Sequence, residues 1–548
     1  MAVVAAVTSC SATAQARTQA ERAQDLLDRL EQPGAPGCAV GVYRDGIPVF
    51  EGAYGVADIA SGARLTPQSA FGVASVSKQF MAAAVGLAAE KGVLGLADDV
   101  RKYVPELPDY GTPITIADLI YHRSGLRDDW TLIRLSGKNL QTRGDIIKLL
   151  GRQKSLVFKP GTRFLYSNSG YVLLAEILER ATGRSYPDFA RDSIFGPLGM
   201  THSYVRDRPI PNTALATPYI RGSSGWEVRD NPHTAARIGT NGVVTTVRDY
   251  AAWADNLIVV SSRLQGGAPF TTLLRTQGRL VDGEPIPYAF GLRTVPYKGL
   301  ETISHGGSGF GFKAHSMIFP QRGVSIAGFC NNGGYAQALV MGLADIFLDL
   351  PGDVKGAADS ASSAIALARY EGIYREPALG IAMVVKADGD ALLVRGDSVP
   401  LRFYPVSENR FRADGNIEIA FEQAGRGGPM ELRQISERNY GTGRFSRINP
   451  VAPKARELAS YAGVYRSAEL DSRYRLAVDN GTLTIEPLEP DGDLAFRRPM
   501  IPMRKDEFVG LPDIAIRFSR DARGRVAGFS LNAQYGWVTD IGFVRERP

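Results

Sequence analysis

Ala74-Ser75-Val76-Ser77-Lys78-Gln79-Phe80 runs without a break into Met81-Ala82-Ala83-Ala84-Val85-Gly86-Leu87-Ala88-Ala89-Glu90. The second stretch is apolar on every side, which makes it a buried helix. Ser75 and Lys78 are three residues apart, so a helix beginning near Ser75 stacks them on one face. The hydroxyl then sits at the helix N-terminus, where free backbone N–H groups can stabilise an oxyanion. A lysine walled in by alanine and valine loses some preference for its charged form and can take the serine proton near neutrality. Read alone, Ser-x-x-Lys is also an ordinary first turn with a surface serine and lysine.

Two further stretches change that. Phe164-Leu165-Tyr166-Ser167-Asn168-Ser169-Gly170-Tyr171 precedes a helical run, and Ser304-His305-Gly306-Gly307-Ser308-Gly309 precedes a strand-like one. Ser-x-x-Lys, Tyr-x-Asn and His/Lys-x-Gly, in that order, form the motif set of the serine β-lactamase and penicillin-binding superfamily. The chain resembles the branch with tyrosine in the second motif: class C β-lactamases, D-alanyl-D-alanine carboxypeptidases, esterases and D-aminopeptidases. Ile116-Ala117-Asp118-Leu119-Ile120, His122-Arg123-Ser124-Gly125-Leu126 and Tyr288-Ala289-Phe290-Gly291-Leu292 agree with that branch.

The resemblance implies that Ser75 forms an acyl-enzyme while Lys78 and Tyr166 carry its proton; which of the two accepts first stays open. Asn168 is expected to hydrogen-bond the substrate amide or the lysine. His305 stands where most β-lactamases carry lysine and is mostly neutral at pH 7. Gly306 and Gly307 leave room for a substrate lying along the strand, and the backbone N–H groups of Ser75 and Ser308 are the candidate oxyanion hole. Singly, Tyr166 reads as a core aromatic, His305 as a strand histidine and Asn168 as a helix cap. His122, His202, His233 and His315 have no metal-ligand spacing; His122 is expected to support a loop, and neither metal nor cofactor is inferred.

With 548 residues, 44% of them hydrophobic, the chain has material for two to four domains. The net charge of +6 is spread without basic runs, which gives no case for nucleic acid. No apolar stretch reaches membrane-spanning length. The apolar start and Ala14-Gln15-Ala16 read as a signal segment over 1–16, implying a periplasmic or secreted protein, although no positive charge precedes the apolar core. Cys38 and Cys330 then remain in strand-like runs. They are expected to come close, yet to stay two buried thiols rather than form a bridge.

Asp45-Gly46 joins two strands as a hairpin ahead of the Ser75 helix. Strands at both ends with helices between predict one α+β catalytic domain over 17–351, an antiparallel sheet flanked by helices. The small, polar stretch 352–366 reads as a linker. Beyond it Ala368-Arg369-Tyr370-Glu371-Gly372-Ile373-Tyr374-Arg375 recurs as Ala459-Ser460-Tyr461-Ala462-Gly463-Val464-Tyr465-Arg466. Each copy heads a strand-rich segment, 367–453 and 454–548, so two antiparallel β-barrels are expected.

That layout is similar to the three-domain D-aminopeptidases. It implies a D-aminopeptidase, or a D-amino-acid amidase or esterase, acting on a small peptide, amide or ester. The alternatives are a D-alanyl-D-alanine carboxypeptidase or weak β-lactamase, and a non-catalytic ligand binder of the same fold. Glu486-Pro487-Leu488-Glu489-Pro490-Asp491-Gly492-Asp493 corresponds to the loop that restricts the active site in D-aminopeptidases; a solvated hairpin loop is the equal alternative.

Overall fold

The computed structural model describes residues 17–547 except 208–214, 230–234, 259–262, 335, 352–366, 396–399, 414–416, 426, 435–442, 492–493, 512–513 and 534–535. The expected signal segment, the linker and His233 lie outside the described residues.

The chain enters through helix α1 (Gln19–Asp28), whose Thr18 and Glu21 form a capping box. Strands β1 (Cys38–Arg44) and β2 (Ile47–Tyr54) follow as a hairpin. Asp45 and Gly46 both take positive φ, 50° and 75°, as a two-residue hairpin turn demands. Some 250 residues later β3 (Ile303–Gly309), β4 (Phe312–Phe319) and β5 (Val324–Cys330) return, completing an antiparallel sheet ordered β3-β4-β5-β1-β2.

Strand side chains alternate between the two faces, and this sheet is covered on both. Val40, Val42 and Ile326 pack with α1 and with a C-terminal helix over Ala336–Phe347. Ala39, Ala327 and Phe329 face the main core, which holds helix α2 (Lys78–Glu90). Every residue of α2 from Lys78 to Ala88 is buried, as its all-apolar sequence requires.

One expectation is corrected here. Cys38 and Cys330 are bonded as a disulfide, not two thiols. The register of β1 on β5 sets Cys38 directly opposite Cys330, with Cα atoms 4.0 Å apart, so both side chains leave the sheet on the same face.

Two closed, eight-stranded antiparallel barrels follow, the first from Gly372–Arg375 to Arg444–Ile448 and the second from Gly463–Ser467 to Val538–Arg545. The repeated Tyr-x-Gly-x-Tyr is structural. Tyr374 Oη donates to Tyr370 O at 2.8 Å, and Tyr465 Oη donates to Tyr461 O at 2.7 Å. The intervening Gly372 and Gly463 have φ of 148° and 154°, backbone that side chains disfavour.

The second barrel is continuous with the catalytic core. Arg127 and Glu469, both buried, form an ion pair at 3.0 Å. Gln153 Nε2 donates to Glu469 O at 3.2 Å, and Tyr474 Oη donates to Leu135 O. The first barrel rests on the second through Arg375–Glu507 at 2.8 Å.

Candidate active site

Ser75 sits on a 3₁₀ turn, Ala74–Ser77, that leads directly into α2. Ala74 has φ of 47°, a strained value for alanine immediately before the hydroxyl residue. The turn is held against a small sheet: Val243 N donates to Ser77 Oγ at 3.0 Å, and Val73 N to Val243 O at 3.0 Å. On its other side β3 approaches so closely that a Cβ on Gly307 would lie 2.2 Å from Val73 O. Only glycine allows that approach.

Lys78 is fully buried, and its Nζ donates to Ser75 Oγ at 3.1 Å, Asn168 Oδ1 at 3.0 Å and Thr240 O at 3.1 Å. Burial, reinforced by the Arg237 charge and opposed by Asp129 and Asp128, lowers its pKa from 10.5 to about 7. Tyr166 hydrogen-bonds Ser75, and its ring centroid is 5.0 Å from Lys78 Nζ and 5.7 Å from the Arg293 guanidinium. Burial raises its phenol above the ordinary value, with the Ser75 hydrogen bond and Arg293 pulling the other way.

Asn168 opens the helix Asn168–Thr182. Its backbone N and its Nδ2 both donate to Asp128 Oδ1, at 2.8 and 3.1 Å. Asp128 also caps helix α3 (Asp129–Ser136) through Thr131 N, and its own N donates to Trp537 O of the second barrel at 3.2 Å. A chain of contacts therefore runs from Trp537 through Asp128 and Asn168 to Lys78.

His305 is buried. Its Nδ1 donates to Gly306 O at 2.7 Å, which leaves Nε2 to accept from Tyr288 Oη at 2.9 Å. Burial first, then the Arg293 and Lys78 charges, hold its pKa well below the ordinary histidine value, so the ring is neutral. His122 supports the turn before Asn168: its Nδ1 accepts from Ser167 N at 3.1 Å and its ring stacks 4.3 Å from Tyr166.

Ser75, Asn168 and Ser308 line one cleft of about 610 Å³, together with Trp130, Thr240 and the β3–β4 turn. Gly306 and Gly307 lie just before Ser308 on β3, the strand edging the cleft. A hydroxyl beside a lysine that is half neutral at pH 7, with a phenol in reach, can attack a carbonyl and pass its proton on. Among the described residues no group of three or more His, Cys, Asp or Glu could hold a metal ion. No helix among them is long and apolar enough to cross a membrane.

The family described as Beta-lactamase matches residues 20–350. The chain belongs to the beta-lactamase family. It is a serine hydrolase. "Penicillin-binding protein 4*" of Bacillus subtilis is 30% identical over 68% of this chain and 87% of its own. "D-aminopeptidase" of Brucella melitensis is 27% identical over 90% of this chain and 93% of its own. In three dimensions the chain is similar to an octameric penicillin-binding protein homologue from Pyrococcus abyssi, with TM-score 0.57, 23% identity, and 78% and 99% of the two chains covered.

Within this beta-lactamase-family site, sequence reasoning missed Asp128, Arg237 and the Thr240 carbonyl. Asp128 lies two residues beyond His122-Arg123-Ser124-Gly125-Leu126 and belongs to none of the three motifs. Arg237 lies 4.8 Å over the Trp130 ring and 3.3 Å from buried Asp129, whose pKa burial raises to about 6 despite Arg237. Of the stretch 486–493, the described residues 486–491 lie away from the cleft. Asp491 N donates to Gly137 O at 2.7 Å and Asn139 N to Asp491 Oδ2 at 2.8 Å, at the far end of α3 from Trp130. Glu486 pairs with Arg475, and none of its described residues lines the cleft.

Proposed function

We propose that the chain hydrolyses amide bonds of small peptides or amides containing D-amino acids, by way of an acyl-enzyme on Ser75. Ser75 Oγ bonds to the carbonyl carbon while its proton leaves to Lys78. The carbonyl oxygen gains charge facing the N–H groups of Ser75 and Ser308. The amine then departs with a proton returned through Tyr166, and water repeats the sequence to free the acid. The observation that carries this is Lys78 Nζ, buried and 3.1 Å from Ser75 Oγ with a pKa near neutrality.

The D-aminopeptidase relatives, similar over nine tenths of this chain, support the D-amino-acid part. Asn168 is assigned to hold Lys78, and neutral His305 to hold Tyr288 and the ring of Tyr166. A second reading, a D-alanyl-D-alanine carboxypeptidase or weak β-lactamase, draws on the penicillin-binding relative. Neutral His305 weakens it by offering the substrate carboxylate no fixed charge there. The Cys38–Cys330 bridge supports an oxidising compartment, periplasmic or secreted.

A fluorescent phosphonate should label the protein, and Ser75→Ala should abolish labelling; labelling that survives it overturns the mechanism. Hydrolysis of D- and L-aminoacyl amides, D-Ala-D-Ala peptides, nitrocefin and p-nitrophenyl esters then ranks the two readings.

A further inference from the structure

The leaving group must meet the proton donor, so it lies on the Tyr166 side of Ser75. Tyr166 is not among the residues around the cleft, which runs from Ser75 and Asn168 along Ser308, Gly309 and Phe310 to Lys313. That cleft therefore receives the acyl half of the substrate. Among the described lining residues the charged side chains are all cationic. The described residues lining it include Arg206, Arg221, Arg229, Arg237 and Lys313, and no aspartate or glutamate.

Arg237 has Asp129 beside it, but Lys313 and Arg221 have no carboxylate partner among the described residues. Lys313 sits opposite Ser308 across the β3–β4 ladder, is half-buried, and donates to Ser308 Oγ. Arg221 ends a short strand, Tyr219–Arg221, whose Tyr219 abuts Gly311 of the β3–β4 turn; its guanidinium lies 5.4 Å from the Trp226 ring centre and is exposed. An acyl group bearing an ammonium would bring a like charge into this concave, partly dry space. A carboxylate there would gain charge-assisted hydrogen bonds from these cations.

We propose that the acyl half of the substrate carries a negative charge, a carboxylate on its side chain or on an N-acyl cap, recognised by Lys313 and Arg221. The inference rests on the acyl-enzyme reading above and narrows it. An unblocked D-aminoacyl donor without an acidic group is a poor substrate, since the ammonium that an aminopeptidase must recognise finds no described acidic partner in the cleft.

Three diaryl phosphonates identical except for a terminal carboxylate, amide or ammonium on the acyl-side arm test it. In each, Ser75 Oγ bonds to phosphorus and a phenoxide departs, so the rate is independent of the natural leaving group. The second-order rate of inactivation is measured at low and high salt, with the adduct located by mass spectrometry. The carboxylate probe should react at least about tenfold faster than the amide and the ammonium probe slower still, the spread narrowing with salt. In the double variant Lys313→Gln/Arg221→Gln the carboxylate-to-amide ratio should fall toward one, the amide probe reporting in the same sample that the site is folded. Should no probe modify Ser75, the acyl-enzyme reading fails and this inference with it. Modification at equal rates, or fastest by the ammonium probe, overturns the inference alone. So does a ratio that survives the double variant.

Discussion

Lys78 is the group whose titration should govern the rate, and the structure sets where. Burial and the Arg237 charge bring its pKa from 10.5 to about 7. If neutral Lys78 is the acceptor for the Ser75 proton, inactivation by a neutral phosphonate should follow the neutral fraction. That fraction is about one per cent at pH 5, a tenth at pH 6 and nine tenths at pH 8, so the rate climbs roughly fiftyfold from pH 5 to 7 and then flattens. Stability is linked to the same proton. The folded form holds the depressed value, so between about pH 7 and 10.5 the unfolded chain binds a proton that the native one does not. Stability from this group therefore rises with pH across that window, by on the order of 5 kcal/mol in total. Lys78→Arg keeps a charge that cannot dissociate and should lower the rate by about a hundredfold to ten-thousandfold. The assay is stopped-flow or discontinuous labelling from pH 5 to 9, with the site of modification confirmed at Ser75. A flat profile, or a Lys78→Arg protein near the wild-type rate, refutes the role given to Lys78.

Glu469→Ala leaves the Arg127 guanidinium buried without its counter-charge and should cost about 3–5 kcal/mol in denaturant unfolding. Because Arg127 adjoins Asp128, it should also slow labelling of Ser75 in protein that remains folded; unchanged labelling would uncouple barrel and site. Thiol titration of unfolded protein should find more free thiols with reductant than without, and Cys38→Ser/Cys330→Ser should lower stability by about 2–5 kcal/mol. Equal thiol counts would mean no bridge forms. Asp491→Ala removes the acceptor for Asn139 N while the backbone bond to Gly137 O stays, lowering stability slightly, and the ranking of carboxylate, amide and ammonium probes should stay as it was. A changed ranking would return stretch 486–493 to a part in specificity.

The meeting of Ser75, Lys78 and Tyr166 was readable because each belongs to a short motif whose spacing carries its geometry. The barrels were readable from Tyr-x-Gly-x-Tyr, where a glycine of unusual φ and a tyrosine hydroxyl repeat together. Asp128 was not, because its value arises only where it meets Asn168, forty residues away, and a backbone carbonyl at Trp537 that has no side-chain signature. Lys313 and Arg221 come from separate hairpins and share a cleft only after folding. The cysteines show the same limit: two strands could be placed side by side from the pattern, but the register that sets Cys38 against Cys330 is a property of the whole sheet.

That sheet also sets a schedule for the growing chain. Strands β1 and β2 leave the ribosome early as a hairpin, but the other edge of β1 has no partner until β5 emerges near residue 330, so the sheet must wait, with apolar faces exposed, for a long-range closure. The contact from Trp537 to Asp128 forms later still, about two hundred residues after β5. A nascent or truncated protein lacking that last hairpin would thus hold every residue of the three motifs and yet lack the strut that orients Asn168 on Lys78.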